Sequence, residues 1–190
     1  MRNQEISFDK AYTKTIDLLK EQNVTYLIIG GLAVGVLGEA RMTQDVDMLI
    51  KIALEDISQF LKAARIKGFR FDSKEVNKTV EAQGFFKLNI GEFHVDFIIG
   101  SMPFELEAFK RRRKIKLYDR YAFFSTPEDL ILFKIIAGRE KDMLDAKSVV
   151  IRHKDRLDIR YLKKWGQVIS DDLQNIKIYK RLEDILREIR

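Results

Sequence analysis

Three aspartates carry the first indication of chemistry. Asp45 and Asp47 stand two apart in DVDMLIKI, a run whose composition predicts a strand over 45–52. Side chains at i and i+2 of a strand leave the same face, so these carboxylates project together while Val46, Met48 and Ile50 fill the other side. Two ionised carboxylates side by side repel, and burying them uncompensated is expensive. A divalent cation between them resolves the conflict. Such donors suit Mg²⁺, usually held by one or two carboxylates together with phosphate oxygens and water. Asp96 is the natural third. In EFHVDFII (92–99), Phe93, Val95 and Phe97 point one way, and Glu92, His94 and Asp96 the other. Brought beside the first two by a neighbouring strand, it completes a set able to hold two ions roughly 3.5–4 Å apart. One ion would bind a triphosphate, and the other would lower the pKa of an attacking hydroxyl. Asp96 would serve the acceptor side as ligand or general base.

The elements that must position these groups follow from periodicity. Apolar spacing predicts a helix over 9–22, then a buried strand, VTYLII, ended by Gly30-Gly31. Glycines there let the backbone approach a phosphate, and a following helix N-terminus offers free N–H groups, although a Gly pair after a strand, taken alone, is more often just a tight turn. LAVGVLGEA reads as a short helix whose Gly35 and Gly38 suggest close packing, and a helix is expected over 55–67. Residues 84–90 and 92–99 form a hairpin turning near Gly91, a short helix follows Pro103, and 110–125 holds two more strands. Ser125-Thr126-Pro127-Glu128 is a helix start, opening helices expected over 127–137, 142–152, 158–169 and 173–188. The expectation is an α+β fold: a mixed sheet flanked by helices over 1–125, with a helical C-terminal lobe, 126–190, packed on it.

Composition narrows the class. The 190 residues are 46% hydrophobic and 34% charged, with 2 Pro and 10 Gly, as in a helix-rich globular chain. Zero cysteines exclude disulfides and thiolate sites, and two histidines leave little for zinc. The polar start, MRNQEISFDK, has no apolar signal core and no run spans a bilayer, so a cytoplasmic location without membrane attachment is expected. A net charge of +6 suits a polyanionic ligand, as it suits many small proteins of other kinds. The run Lys110-Arg111-Arg112-Arg113-Lys114 with Lys116 reads either as polyanion contact or as a charged edge strand. Tyr118, Tyr121, Phe123 and Phe124 read as core. His94 reads as a hydrogen-bonded surface residue or a liner of the acceptor site, and His153 as solvated. No G-x-x-x-x-G-K-[ST] loop or nucleophile-elbow serine occurs.

In combination, these motifs resemble the polymerase-β-type nucleotidyltransferase superfamily. They look most like its AbiEii-like branch, the toxin nucleotidyltransferases of type IV toxin–antitoxin systems. Gly30-Gly31 matches the Gly-Gly/Gly-Ser motif, Arg41-x-Thr43-x-Asp45-x-Asp47 the R-x-T-x-D-x-D motif, and Asp96 the distal aspartate. Lys134-IIAG-Arg139-EK-Asp142-ML-Asp145 is similar to the branch's K…R…D-x-x-D element. The resemblance implies transfer of a nucleoside monophosphate from an NTP to an acceptor, RNA or tRNA by analogy with the toxins, with an antibiotic-type small molecule as alternative. It implies Mg²⁺ in two ions, or Mn²⁺, on Asp45, Asp47 and Asp96. It also implies nucleotide binding by Gly30, Gly31, Arg41, Thr43 and Lys134, support from Asp145, and an antitoxin-like protein partner. A non-catalytic binding module on the same fold is the other class. From the residues alone, Lys134 could snorkel or be paired. Arg139, Asp142 and Asp145 could be a helix-start ion cluster, and Arg41 and Thr43 could order the loop before the strand or touch phosphate. Gly31 departs from the many members that carry serine there.

Overall fold

The computed structural model describes residues 6–187. Among them, nine α-helices and one six-stranded mixed sheet form the mixed fold read from the sequence. Helix α1 (Phe8–Glu21) leads to β1 (Thr25–Ile29), α2 (Gly30–Leu37) and β2 (Asp45–Lys51); a 3₁₀ turn, Leu54–Asp56, then opens α3 (Ile57–Ile66). After α4 (Ser73–Gln83) come β3 (Phe85–Ile90) and β4 (Phe93–Ile99), turning at Gly91, whose φ of +61° favours glycine. Helix α5 (Pro103–Arg111), β5 (Arg113–Leu117) and β6 (Arg120–Phe124) complete the sheet region. Helices α6 (Pro127–Ala137), α7 (Glu140–His153), α8 (Ile159–Asp172) and α9 (Ile176–Leu186) follow. The last residue of the helix expected over 173–188 and the first five of the chain lie outside the described residues.

Strand order is β3-β4-β2-β1-β6-β5. β2 runs antiparallel to β1 and parallel to β4, and β1 runs parallel to β6; each outer pair is antiparallel. One face buries Val46, Met48, Ile50, Phe86, Val95 and Phe97 against α1 and α3, with Phe60 edge-on to the stacked Phe86 and Phe97 rings. This is the principal core, and its alternation leaves Asp45, Asp47 and Asp96 on the opposite face. That second face has a smaller apolar cluster: Leu27, Ile29 and Leu49 beneath Ala108 and Phe109 of α5, flanked by Ile98 and Phe133.

Several local readings need correction. Helix α2 starts at Gly30, not Leu32, because Ile29 is already extended and the glycine pair enters the first helical turn. Gly38 is packed as expected, a Cβ there meeting Ser148 Oγ at 2.5 Å, whereas Gly35 faces open space. Helix α7 begins two residues early, and α9 begins at Ile176 because Asn175 accepts from the Lys177 N–H as its cap. Tyr118 and Tyr121 are 43% and 53% exposed; they sit around the turn of the β5–β6 edge hairpin, outside the core. His153 is not free in solvent: its Nε2 lies 2.7 Å from Leu37 O, at the end of α2.

Candidate active site

The second face gathers most of the singled-out residues. Asp45 opens β2, and Asp47 sits directly opposite Asp96 in the parallel β2–β4 register. On its other side Asp47 pairs with Ile29, the last residue before the glycines. Gly30 has φ +69°, and a Cβ there would fall within the Asp47 carboxylate. Only glycine lets the chain turn so tightly over that aspartate. The Gly31 N–H donates to Asp47 Oδ2 at 3.4 Å, a long bond that leaves most of the carboxylate's capacity unused. Burial first, then the facing Asp96 charge, pushes Asp47 above the usual carboxylate range; the Gly31 N–H and Lys134 pull the other way. Asp96 is raised as well, mainly by burial and against the Lys87 charge. Lys87 Nζ stands 3.3 Å from Asp96 Oδ1 as an ion pair, and this buried oxygen has no well-formed hydrogen bond.

Facing the carboxylates is a wall built by α6, α7 and the 38–44 loop. Asp145 accepts from Arg41 Nε at 2.9 Å and Arg41 Nη2 at 3.0 Å, a bidentate clamp. Lys134, 5% exposed, donates to Asp142 Oδ1 at 3.0 Å and Asp145 Oδ2 at 2.7 Å. Arg139 Nε donates to Asp142 Oδ2 at 2.5 Å. Burial raises both acids, but the Arg139 and Lys134 bonds at Asp142, and those from Arg41 and Lys134 at Asp145, leave each below the ordinary range. Lys134 is therefore paired, and the helix-start ion cluster is present. The Thr43 hydroxyl donates to Asp45 O at 3.1 Å, ordering the turn into β2. A side chain at Gly31 would meet Thr43 Oγ1 at 2.9 Å and Arg41 Nη2 at 3.1 Å, so the space a serine would use is already filled.

Between sheet and wall lies a cavity of about 390 Å³. Gly30, Gly31, Arg41, Thr43, Asp45, Asp47, Asp96 and Lys134 all line it; Asp145 stands behind the wall, holding Arg41 and Lys134. The cavity also takes in residues the sequence reading passed over: Leu49 and Ile98, Met102 just before α5 and Glu105 in it, Phe133, and Lys141. Leu49 and Ile98 were accessible to inference, standing two residues beyond Asp47 and Asp96 on the same face. Met102 and Glu105 carried no signal, since nothing local reports where α5 docks. Lys87 could have been found by pairing the hairpin outward from Gly91, which sets it opposite Asp96. His94 is exposed and shares a short contact, 2.6 Å, with Asn89 Oδ1; it does not line the cavity.

A family model described as "Nucleotidyltransferase of unknown function (DUF6036)" matches residues 10–188. The chain belongs to that family. Its fold agrees with solved structures at low identity. The solution structure of the antibiotic-resistance factor ANT(2'')-Ia aligns with a TM-score of 0.58 at 13% identity, covering 87% of this chain and 94% of that one. The lincomycin-bound lincosamide antibiotic adenylyltransferase LnuA gives 0.53 at 16%, covering 77% and 98%. JHP933 from Helicobacter pylori gives 0.50 at 11%, covering 100% and 94%. No curated protein sequence matches the chain. Superfamily and enzyme class thus stand as a nucleotidyltransferase, and no described helix of this family member is long and apolar enough to cross a membrane.

The donor set bears on whether a cation fits. Among the described residues, no group of three or more His, Cys, Asp or Glu side chains could by itself hold a metal ion. The same set has unspent capacity: Asp47 receives one long N–H bond, and Asp96 Oδ1 none. Underused carboxylate oxygens, raised toward protonation by burial and by one another, are what an added divalent charge would stabilise.

Proposed function

We propose that this nucleotidyltransferase transfers a nucleoside monophosphate from a Mg²⁺-bound NTP to an acceptor hydroxyl. The carrying observation is the row of Asp45, Asp47 and Asp96 beside Gly30-Gly31 in one cavity with a cationic far wall. Asp45 and Asp47 would hold the ion, with Asp96 as a third ligand; triphosphate oxygens and water would complete a shell that Mg²⁺ rarely takes from protein alone. When bound, Mg²⁺, or Mn²⁺ in its place, supplies charge neutralisation at the phosphates. The α2 N-terminus offers N–H groups to the phosphates, and Gly30 keeps that approach clear. Arg41, fixed by Asp145, and Arg139, fixed by Asp142, hold positive charge where pyrophosphate departs. Asp96 takes the hydroxyl proton.

The acceptor is read from what surrounds the site. RNA, expected from the toxin branch, would be supported by the net charge of +6. Much of the basic run is engaged elsewhere, however. Arg111 pairs with Glu128 at 3.0 Å and lies over the Tyr161 ring, Arg112 donates to Phe109 O, Lys110 pairs with Glu107 at 3.0 Å, and Lys114 lies over Tyr121. β5, which carries the rest, is an edge strand at the end of the sheet away from β3 and β4. The modest volume of the cavity and the fold shared with two antibiotic adenylyltransferases favour a small acceptor. An antitoxin-like partner belongs with the RNA reading.

Incubation with Mg²⁺, labelled NTPs and either total RNA or a panel of small polyols and amines tests this. Labelled product is expected with the small compounds, lost more than about a hundredfold in Asp47→Asn and Asp96→Asn and abolished by EDTA. Nucleotide binding with no transfer to any acceptor would leave a binding module and overturn the proposal.

A further inference from the structure

The carboxylate face continues past Asp96 onto β3, where a second cavity of about 410 Å³ opens between that strand and α4. Its chemistry comes from Phe71, Asp72, Glu75, Phe85, Lys87 and Asn89. The β3–β4 register relates it to the first. In the cross-strand pairs Phe85–Ile98 and Lys87–Asp96, the β3 member lines the second cavity and the β4 member the first. The partition between the two cavities is therefore one strand pair wide. At its centre stands the Lys87–Asp96 contact, 3.3 Å long, with Asp96 Oδ1 lacking any hydrogen bond.

The second cavity is acidic and aromatic. Asp72 and Glu75 are exposed carboxylates at the start of α4. Asp72 uses Oδ1 to cap the helix, accepting from Lys74 N at 2.8 Å, and Oδ2 takes no part in the cap. Two of the nearby cations are engaged: Lys87 at Asp96, and Arg65 with Ser73 Oγ at 3.2 Å and the Phe71 ring at 4.8 Å. A volume near 400 Å³ falls in the range of small-molecule sites.

We propose that this second cavity receives the acceptor, and that the acceptor is a small polyhydroxylated amine. The proposal rests on the nucleotidyl-transfer reading above. Asp72 and Glu75 fix the ammonium, Phe71 and Phe85 cover the apolar face of the ring, and one hydroxyl reaches the partition. There it displaces the Lys87 ammonium and donates to Asp96 Oδ1. The hydroxyl oxygen then bonds to the α-phosphorus as the bond from that phosphorus to the bridging β-phosphate oxygen breaks. The bonding pair leaves with pyrophosphate, and the hydroxyl proton passes to Asp96 and on to solvent. A polyanion such as RNA would instead meet the exposed carboxylates of Asp72 and Glu75.

Calorimetry on the full chain with Mg²⁺ and non-hydrolysable NTP analogues separates the possibilities, with tobramycin and glucosamine as the amine probes. At least one probe is expected to bind. Asp72→Asn, which keeps a capping side chain, and Glu75→Gln should each weaken that binding at least tenfold. Lys87→Ala should tighten it at least threefold by removing the ammonium that competes for Asp96. In both acid variants affinity for the NTP analogue should stay within twofold, which also shows that they fold. Failure of both amines to bind while the analogue binds, or amine binding unmoved by both acid variants, overturns this proposal and leaves nucleotidyl transfer standing. Transfer to labelled RNA persisting in Glu75→Gln overturns it likewise. Failure of every NTP analogue to bind removes the underlying reading as well.

Discussion

At the scale of single residues, Gly30 and Asp145 exert the tightest control. Gly30 joins a left-handed φ to direct contact with Asp47. Gly30→Ala should cost about 1–2 kcal/mol from the backbone alone. It should also reduce transfer more than about a hundredfold by displacing that carboxylate, separable by comparing urea midpoints with turnover. Asp145 is buried with Lys134 and also holds the more exposed Arg41, so Asp145→Asn should destabilise by about 3 kcal/mol at pH 7, mainly through the buried Lys134 charge left unpaired. The pH dependence follows from the lowered Asp145 pKa. A carboxylate held below its unfolded value of about 3.9 adds stability that is fully present above that value and lost as pH falls through the folded one. The gap between wild type and variant should stay constant from about pH 7 to 5 and close below about pH 4, read as unfolding midpoints against pH. The sequence announced the three aspartates because strand alternation fixes their face. It left Asp145's partners open, because an ion pair spanning 104 residues has no local signature.

Among elements, the legible ones were those with strong periodicity or punctuation: β1, the Gly91 hairpin, and α6 behind Thr126 and Pro127. The sequence reading assigned no element to 68–83, where α4 forms, because that helix buries only Val76 and Val80 and is otherwise polar. Its stability comes from the Asp72 cap and from packing on β3, and such edge helices show least in a hydrophobic pattern. The partners of each strand were equally hidden. Alternation says which way Asp96 points but not that β4 lies parallel to β2. Close helix packing gives a direct test. Gly166 of α8 lies so near Leu182 of α9 that a Cβ would meet Leu182 Cδ2 at 2.5 Å. Gly166→Ala should destabilise by about 1–3 kcal/mol while KM for the NTP is unchanged, since neither helix contributes a residue to the first cavity.

For the whole molecule, charge follows the architecture. The basic run ends in β5, the terminal strand of the sheet, where Arg113, Lys114 and Lys116 are exposed. Charges at such an edge prevent strand addition from another molecule. The double substitution Lys114→Val, Lys116→Val should therefore leave transfer intact and cause concentration-dependent association, visible by light scattering. The C-terminal helices do more than cover the sheet. The segment joining α2 to β2 is fastened to α7 along its length: Arg152 Nη1 bonds Gly38 O, Glu39 N bonds Ser148 Oγ, and Asp145 clamps Arg41. The aspartate strand thus inherits its starting point from residues a hundred positions downstream. A shortened protein ending before α6 would keep Asp45, Asp47 and Asp96 in its sequence and lose the anchor that aims two of them.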